Sequence, residues 1–157
     1  DLLWFFKGNT VILFAFISCN KNNVYQQFFD ITENTWNTDS LINFELPDID
    51  TSINYKVLLN IRHGVEYKYQ NIFLFSKTDY NKDTLEIYLC DNAGKWHGKG
   101  WGDVKEVTVD ISNINDKKIT KSNTISFEQA MRYGDKKSIN NLQHIHSLGI
   151  LIQQNND

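Results

Sequence analysis

Hydrophobic and polar residues alternate along most of the chain after residue 23, which is the period of a β-strand with one buried face. The clearest case is segment 55–62, whose two expected faces are Tyr55, Val57, Leu59 and Ile61 on the core side and Lys56, Asn60 and Arg62 on the solvent side. Leu58 is the exception to the alternation. The pattern predicts a half-buried strand.

Other strand patterns lie at 24–30, 40–46, 72–75, 85–89, 107–111, 125–131 and 148–152. Segment 72–75 is continuously apolar, so we predict a central strand that is covered on both faces. A turn is expected at 79–83 and a polar connection at 113–123. No segment has a helical period of useful length. Strands at this spacing predict an all-β fold, an antiparallel β-sandwich of the jelly-roll type.

The amino terminus has a different pattern. The apolar run 11–17 follows Lys7 and ends at Ser18 and Cys19, after which the chain turns polar. This order is typical of a secretory signal peptide. A membrane-spanning helix needs about 20 apolar residues, and the interruption at 7–10 makes it the weaker interpretation. Because Asp1 is not a methionine, we expect the natural chain to begin further upstream.

Cys19 lies where a bacterial lipobox places the cysteine that receives lipid after cleavage. The box is 16–19, and Phe16 stands where leucine is usual. The alternative is an ordinary cleavage site with an incidental cysteine. We predict a lipoprotein signal at 1–18 and a single β-sandwich domain at 19–157, held to the membrane by lipid on Cys19. Each buried methylene of the acyl chains would contribute about 0.8 kcal/mol to anchoring.

Composition narrows the class of protein. With 157 residues, 41% hydrophobic residues and one proline, the chain is long enough to bury about two-thirds of its unfolded surface. The net charge of -3, without a stripe of lysine and arginine, excludes nucleic acid as an expected partner. If Cys19 is acylated, Cys90 has no disulfide partner in the chain. We expect Cys90 to be a small residue at a strand end, since no local base would activate its thiol.

Segment 91–106 holds four of the eight glycines and two of the four tryptophans. Glycine allows a positive φ or a close backbone approach, so this density predicts a specifically shaped loop between strands. We name residues 94–103 the glycine–tryptophan loop. Its candidate interaction residues are Gly94, Lys95, Trp96, Gly98, Gly100, Trp101, Gly102 and Asp103.

The two tryptophans have three interpretations. Trp96 and Trp101 could pack over the glycines and fix the loop, which we favour. Exposed rings would instead suit a protein interface, where tryptophan carries much of the binding energy. They could also stack on the pyranose rings of a glycan. Lys95, Lys99 and Lys105 are expected to form a solvated rim.

Three other patterns are candidates for chemical sites. Asp79, Asn81 and Asp83 have the spacing that opens a calcium loop, but Thr84 and Cys90 replace the turn glycine and the bidentate glutamate, so we expect a hairpin tip. His144 and His146 are too few to hold a metal, and we expect an exposed edge or loop. No metal and no cofactor is predicted.

An acid–base pair from His97, Asp103 and Glu106 would need two carboxyl groups about 5 to 10 Å apart across a cleft, which spacing alone does not establish. Asp103 after Gly102 is more simply a turn residue that binds its own backbone. No catalytic residue is predicted, and we expect the chain not to be an enzyme.

Several stretches together resemble the gliding motility lipoprotein GldH family of the Bacteroidota. They are the lipobox with residues 20–25, the pattern Gly-Lys-Trp-x-Gly-Lys-Gly-x-Gly-Asp from Gly94 to Asp103, the run Phe-Glu-Gln-Ala-Met-Arg from Phe127 to Arg132, and Leu-Gly-Ile-Leu-Ile from Leu148 to Ile152. The resemblance spans nearly all of the chain after Cys19, and the glycine–tryptophan pattern is its most specific part.

The resemblance implies a lipoprotein needed for gliding and associated with type IX secretion, whose partners are other gliding and secretion lipoproteins and envelope components. It implies a protein that faces the periplasm. Asn20 and Lys21 follow Cys19 with no acidic run, so we expect the lipid to hold the protein in the outer membrane rather than at the cell surface. It carries over no catalytic residue, and only Cys19 maps to a position of understood chemistry. The alternatives kept open are a lipid-anchored carbohydrate-binding module, with a glycan as partner, and a cell-envelope hydrolase.

Overall fold

The structure is a computed structural model that describes residues 22–114, 117–135 and 137–155. The predicted signal peptide and Cys19 lie outside these residues. No helix among them is long and apolar enough to cross a membrane. The strands are β1 (Asn23–Asp30), β2 (Thr35–Asn37), β3 (Ile42–Glu45), β4 (Tyr55–Gly64), β5 (Asn71–Thr78), β6 (Lys82–Tyr88), β7 (Val104–Asp110), β8 (Asn113–Ile114), β9 (Lys117–Lys118), β10 (Thr124–Gln129), β11 (Asn141–Gln143) and β12 (Ile145–Gln154), with short 3-10 turns at Thr32–Asn34 and Ile119–Lys121.

Two four-stranded antiparallel sheets form the body of the fold. Sheet I has the order β1-β12-β4-β7, and sheet II has the order β3-β10-β5-β6. The pairs β1 with β12, β3 with β10, β4 with β7, and β5 with β6 are those of one long hairpin that has been rolled up on itself. Rolling then pairs β12 with β4 and β10 with β5. The predicted antiparallel β-sandwich of the jelly-roll type is confirmed.

In β4, the residues that the alternating pattern assigns to the core side are buried as predicted. Val57, Leu59 and Ile61 are fully buried, and Ile150 of the neighbouring β12 stands opposite Leu59 in the same buried layer. Asn60 departs from the prediction because it is buried on the other face, where its amide donates to Thr108 Oγ1 at 3.2 Å. Burying that many apolar side chains supplies the main stabilisation of the sandwich.

The prediction for β5 is half wrong. β5 is an interior strand of sheet II, and Ile72 and Leu74 are fully buried. Phe75, however, is 42% exposed, because only one face of sheet II packs against sheet I. In this chain, a continuous apolar run therefore does not indicate a strand that is buried on both faces.

Register gives the sandwich two distinct ends. The amino-terminal end holds the start of β1, the end of β12, the start of β4 and the end of β7, through the pairs Asn23↔Gln153, Tyr55↔Gln154 and Leu58↔Asp110. The loop end holds the opposite termini of the same strands, through the pairs Asp30↔Ser147, His63↔Ile145 and Gly64↔Val104. The glycine–tryptophan loop runs directly into β7, so it lies at the loop end.

Candidate interaction loop

The loop opens with a turn that is closed by Asp91. The Gly94 amide donates to the Asp91 carbonyl at 3.0 Å, and Asp91 Oδ1 accepts from the amides of Ala93 and Lys95, both at 2.9 Å. Aspartate in the first position and glycine in the fourth are typical of a type I turn. These bonds, the Lys95 amide above all, lower the pKa of Asp91. The Asp91 carboxylate therefore stabilises the turn, and the Asp-x-x-Gly spacing of the sequence could have identified this role.

Trp96 fixes the middle of the loop to the core. Its ring is half-buried and its centroid lies 4.8 Å from that of His63. The adjacent His97 amide donates to the Leu89 carbonyl at 2.7 Å. Cys90, which forms a bridge with Trp96, is buried just beyond β6. The prediction that Trp96 packs and fixes the loop is confirmed, with His63 and the core as its contacts. The predicted position of Cys90 beside a strand end is confirmed as well.

Gly98 and Gly100 let the loop lie directly against β7. Lys99 exchanges two backbone hydrogen bonds with Glu106, at 3.1 and 2.8 Å. A Cβ atom on Gly98 would lie 1.9 Å from the Glu106 carbonyl oxygen, and one on Gly100 would lie 2.0 Å from the Val104 carbonyl oxygen. No side chain fits at either distance, so both glycines are required by close approach. Gly98 also has φ +82°.

Trp101 occupies the tip of the loop. It is followed by Gly102 at φ +59°, and its side chain is 97% exposed. The Val65 amide donates to the Asp103 carbonyl at 2.8 Å, which ties the base of the tip to the end of β4. The prediction that Trp101 packs over the glycines is wrong, because the turn points the ring away from the body. Lys95 and Lys99 are exposed as expected, whereas Lys105 is half-buried.

His63 lies under the loop, and the sequence pattern did not single it out. The side chain is fully buried between Trp96 and Tyr67, with Nδ1 3.0 Å from the Gly64 carbonyl oxygen. Its Nε2 has no hydrogen-bond partner in the part of the chain that the structure describes. Burial lowers the pKa of His63, and the charges of His146 and Lys105 lower it further, although the bond to Gly64 acts in the opposite direction.

Folding stability should therefore depend on pH through His63. Below its ordinary pKa of 6.5 the unfolded chain takes up a proton that the folded chain excludes, so stability falls as pH drops from about 6.5 toward the lowered folded pKa. We expect His63→Phe, which keeps a ring in the site, to remove up to about 1.4 kcal/mol of the loss between pH 7.5 and 5.5. Urea unfolding at both pH values measures it. An exposed-site variant, His97→Gln, is the control, and equal losses in the wild type and His63→Phe would refute the assignment.

The remaining chemical candidates have structural roles. Asp79 lies in the predicted hairpin tip between β5 and β6, where its carboxylate accepts from the Asn123 amide at 2.6 Å and from Thr124 Oγ1 at 2.9 Å. These bonds, that of Asn123 first, lower the pKa of Asp79. His144 lies in a turn at φ +65°, as expected for a loop, but His146 lies in β12, an interior strand.

Glu106 is committed to an ion pair. Its Oε2 accepts from Arg62 Nε at 2.6 Å, and the Arg62 guanidinium stacks on Phe28 at 5.1 Å from the ring centroid. Burial acts to raise the pKa of Glu106, but hydrogen bonds from Arg62 and Asn60 and the charge of Arg62 lower it overall. Within the described ranges, no group of three or more His, Cys, Asp or Glu residues could hold a metal ion.

These features define a class of protein: a jelly-roll β-sandwich with a glycine-rich loop at one end, which backbone hydrogen bonds hold against β7. Comparison with known proteins then gives the particular family. The model of the GldH lipoprotein family matches residues 23–152, and the chain belongs to that family. Membership indicates a membrane-anchored protein of the cell envelope and supports a role in gliding motility.

Two relatives extend over nearly the whole chain. A protein of Christiangramia forsetii named "Gliding motility lipoprotein GldH homolog" is 36% identical, covering 94% of this chain and 93% of its own length. The "Gliding motility lipoprotein GldH" of Flavobacterium johnsoniae is 28% identical, covering 94% and 97%. Among solved structures, a coat protein dimer of Tobacco streak virus matches with a TM-score of 0.30 at 9% identity, covering 84% of this chain and 86% of that chain, which is too little to bear on the fold.

Proposed function

We propose that the chain is a non-enzymatic lipoprotein of the outer membrane that faces the periplasm and supports gliding motility and the associated type IX secretion machinery. It acts through a protein interface centred on the glycine–tryptophan loop, with lipid on Cys19 as its membrane anchor. Its partners are other gliding and secretion lipoproteins and envelope components. The observation that carries the proposal is the fully exposed ring of Trp101 on a loop whose backbone is fixed on both sides.

The position of the loop favours a protein partner over the membrane. β1 begins at Asn23, four residues after Cys19, and Asn23 lies at the amino-terminal end of the sandwich. The loop lies at the loop end, about 30 Å away along the ten residues of β4. An anchor at Cys19 therefore holds Trp101 away from the bilayer, where a partner in the aqueous compartment can reach it.

The construction of the loop also suits binding. Paired backbone bonds to β7 and the half-buried Trp96 fix the segment before any partner arrives. A segment that is already ordered loses less conformational entropy on association, so more of the contact energy appears as affinity. Exposed tryptophans are among the residues that dominate the energetics of protein interfaces.

A carbohydrate-binding site at the two tryptophans is the weaker alternative. A sugar groove needs walls with polar groups beside the stacking ring, and such walls would bury part of that ring. Trp101 is 97% exposed, and Trp96 is turned toward His63. This geometry fits insertion of the Trp101 ring into a partner's pocket better than stacking within a groove of this chain.

The test is crosslinking and pull-down from native membranes with Trp101→Ala, leaving Trp96 in place because its ring supports the loop. The matched control is Tyr80→Ala, which removes another exposed aromatic ring, at the turn between β5 and β6. We expect wild type and Tyr80→Ala to recover gliding or secretion components. Trp101→Ala should recover at least tenfold less of these components than wild type.

Two results would decide against the proposal. Equal recovery by Trp101→Ala and wild type would remove the loop from the interface, and recovery of no protein by any variant would remove the protein interface itself. Thermal unfolding of each variant must first give the wild-type midpoint, so that a loss of recovery reports on the surface and not on folding.

A further inference from the structure

The outer face of sheet II carries a groove that the glycine–tryptophan loop does not explain. The groove has a volume of about 700 Å³ and crosses β3, β10, β5 and β6. A second hollow of about 300 Å³ shares Phe75 and Thr84 with it and continues past Ala130 to Arg132. Ligand sites in proteins span roughly 300 to 1,000 Å³, so the groove is large enough for a small molecule or a short chain.

Strand register arranges the groove residues in rows across the sheet. Glu128, Phe75 and Thr84 stand opposite one another on β10, β5 and β6. The next row holds Asn43, Ser126 and Lys77 on β3, β10 and β5. Because β10 and β5 are paired on both sides, the floor of the groove is held by the sheet itself and not by a loop.

The run from Phe127 to Arg132, which carries part of the family resemblance, divides between the core and this groove. Phe127, Gln129 and Met131 point inward and are buried, as a strand period requires. The alternate residues Glu128, Ala130 and Arg132 all line the groove or its continuation. The inward set packs in the core, and the outward set forms part of the lining of the groove.

The chemistry of the lining favours a hydrophilic ligand over a protein. Phe75 offers a flat apolar ring that is 42% exposed, with Glu128 as its neighbour on one side. Asn43 adds a neutral hydrogen-bonding group, and Lys77 and Arg132 add positive charges that accompany the negative charge of Glu128. Lysine, glutamate and serine are depleted in the cores of protein interfaces, whereas they make up much of this floor.

We propose that the outer face of sheet II is an oligosaccharide-binding site. A pyranose ring lies on Phe75, and its hydroxyl groups bond to Glu128 and to polar neighbours such as Asn43 and Lys77. The continuation toward Arg132 receives the next sugar unit. This site is independent of the proposed protein interface at the loop end, and the two have no residue in common.

The experiment is a glycan array of neutral and charged oligosaccharides probed with the full lipoprotein in detergent, followed by titration calorimetry with the best-bound sugar. Two variants test the contacts: Phe75→Ala removes the stacking ring, and Glu128→Gln keeps the shape of the side chain but removes its charge. Tyr88→Ala, an exposed aromatic on β6 that does not line the groove, is the matched control. We expect affinity to fall about tenfold or more for Phe75→Ala and Glu128→Gln, and not for Tyr88→Ala.

Absence of any bound glycan, or glycan binding that Phe75→Ala and Glu128→Gln leave unchanged, would overturn the assignment. A photo-crosslinking residue placed at position 84, which lines the groove beside Phe75 and leaves the stacking ring in place, identifies the occupant, since adducts with protein and none with polysaccharide would show an interface instead. Glycan binding must also be independent of Trp101. Trp101→Ala should leave it intact, so that failure of one proposal is separable from failure of the other.

Discussion

Gly98→Ala is expected to lower the free energy of unfolding by roughly 3 kcal/mol, the upper range for a residue forced into a strained backbone. The added methyl group would lie 1.9 Å from the Glu106 carbonyl oxygen, which is backbone and has no side-chain freedom to move aside. The φ of +82° adds a second penalty. Relief requires the loop to leave β7, which breaks both bonds between Lys99 and Glu106. The midpoint of thermal unfolding should fall by roughly 6 to 12 °C.

Gly94→Ala is the matched control for this prediction. Gly94 has nearly the same φ, +81°, but a Cβ there would meet nothing within 4 Å. Only the backbone penalty applies, about 1 kcal/mol. Similar losses for the two variants would mean that the close approach to β7 does not hold the loop. Amide hydrogen exchange at Lys99 and Glu106 reports directly whether the loop has detached.

Trp36→Ala should cost about 3 to 5 kcal/mol, the range for truncating a buried large aromatic side chain. Trp36 is 1% exposed on β2, opposite Leu142 of β11, and its Nε1 donates to the Ser40 carbonyl oxygen at 2.9 Å. Truncation leaves a cavity and an unpaired carbonyl group. Urea unfolding at neutral pH measures the loss.

Two comparisons make the Trp36 prediction specific. Trp36→Phe keeps most of the ring and should lose clearly less than Trp36→Ala. Trp101→Ala removes an equally large side chain from the surface and should change stability by no more than about 0.5 kcal/mol. If Trp36→Ala were as mild as Trp101→Ala, the two-stranded sheet of β2 and β11 would not contribute to the core.

The strands of the sandwich could be predicted where alternation extends over enough residues. Segment 55–62 is the clearest case, because three inward residues of β4 are fully buried. β2 and β11 could not be predicted, since strands of three residues are too short to show a period. The alternation also could not predict the strand order, because the pairing of β1 with β12 joins residues that are far apart in the sequence.

The sequence could predict the position of the candidate loop but not its conformation. The density of glycine marked Gly98 correctly as a site of close approach. Residue type alone could not separate Trp96, which packs on His63, from Trp101, which is exposed, because the direction of each ring depends on the turn that carries it. The groove beside Phe75 could not be predicted from the sequence, because the apolar run at 72–75 indicated burial on both faces.

The pairing of β1 with β12 has a mechanical consequence. A pull on the proposed anchor at Cys19 enters the sandwich at Asn23 and runs along β1, while a partner held by Trp101 would pull from the opposite end. The hydrogen bonds of an antiparallel ladder lie perpendicular to the strands, so such a load shears the bonds between β1 and β12 together and does not unzip them one at a time. This pairing would let the sandwich carry tension along its strands, as the proposed link between a membrane anchor and a protein partner would require.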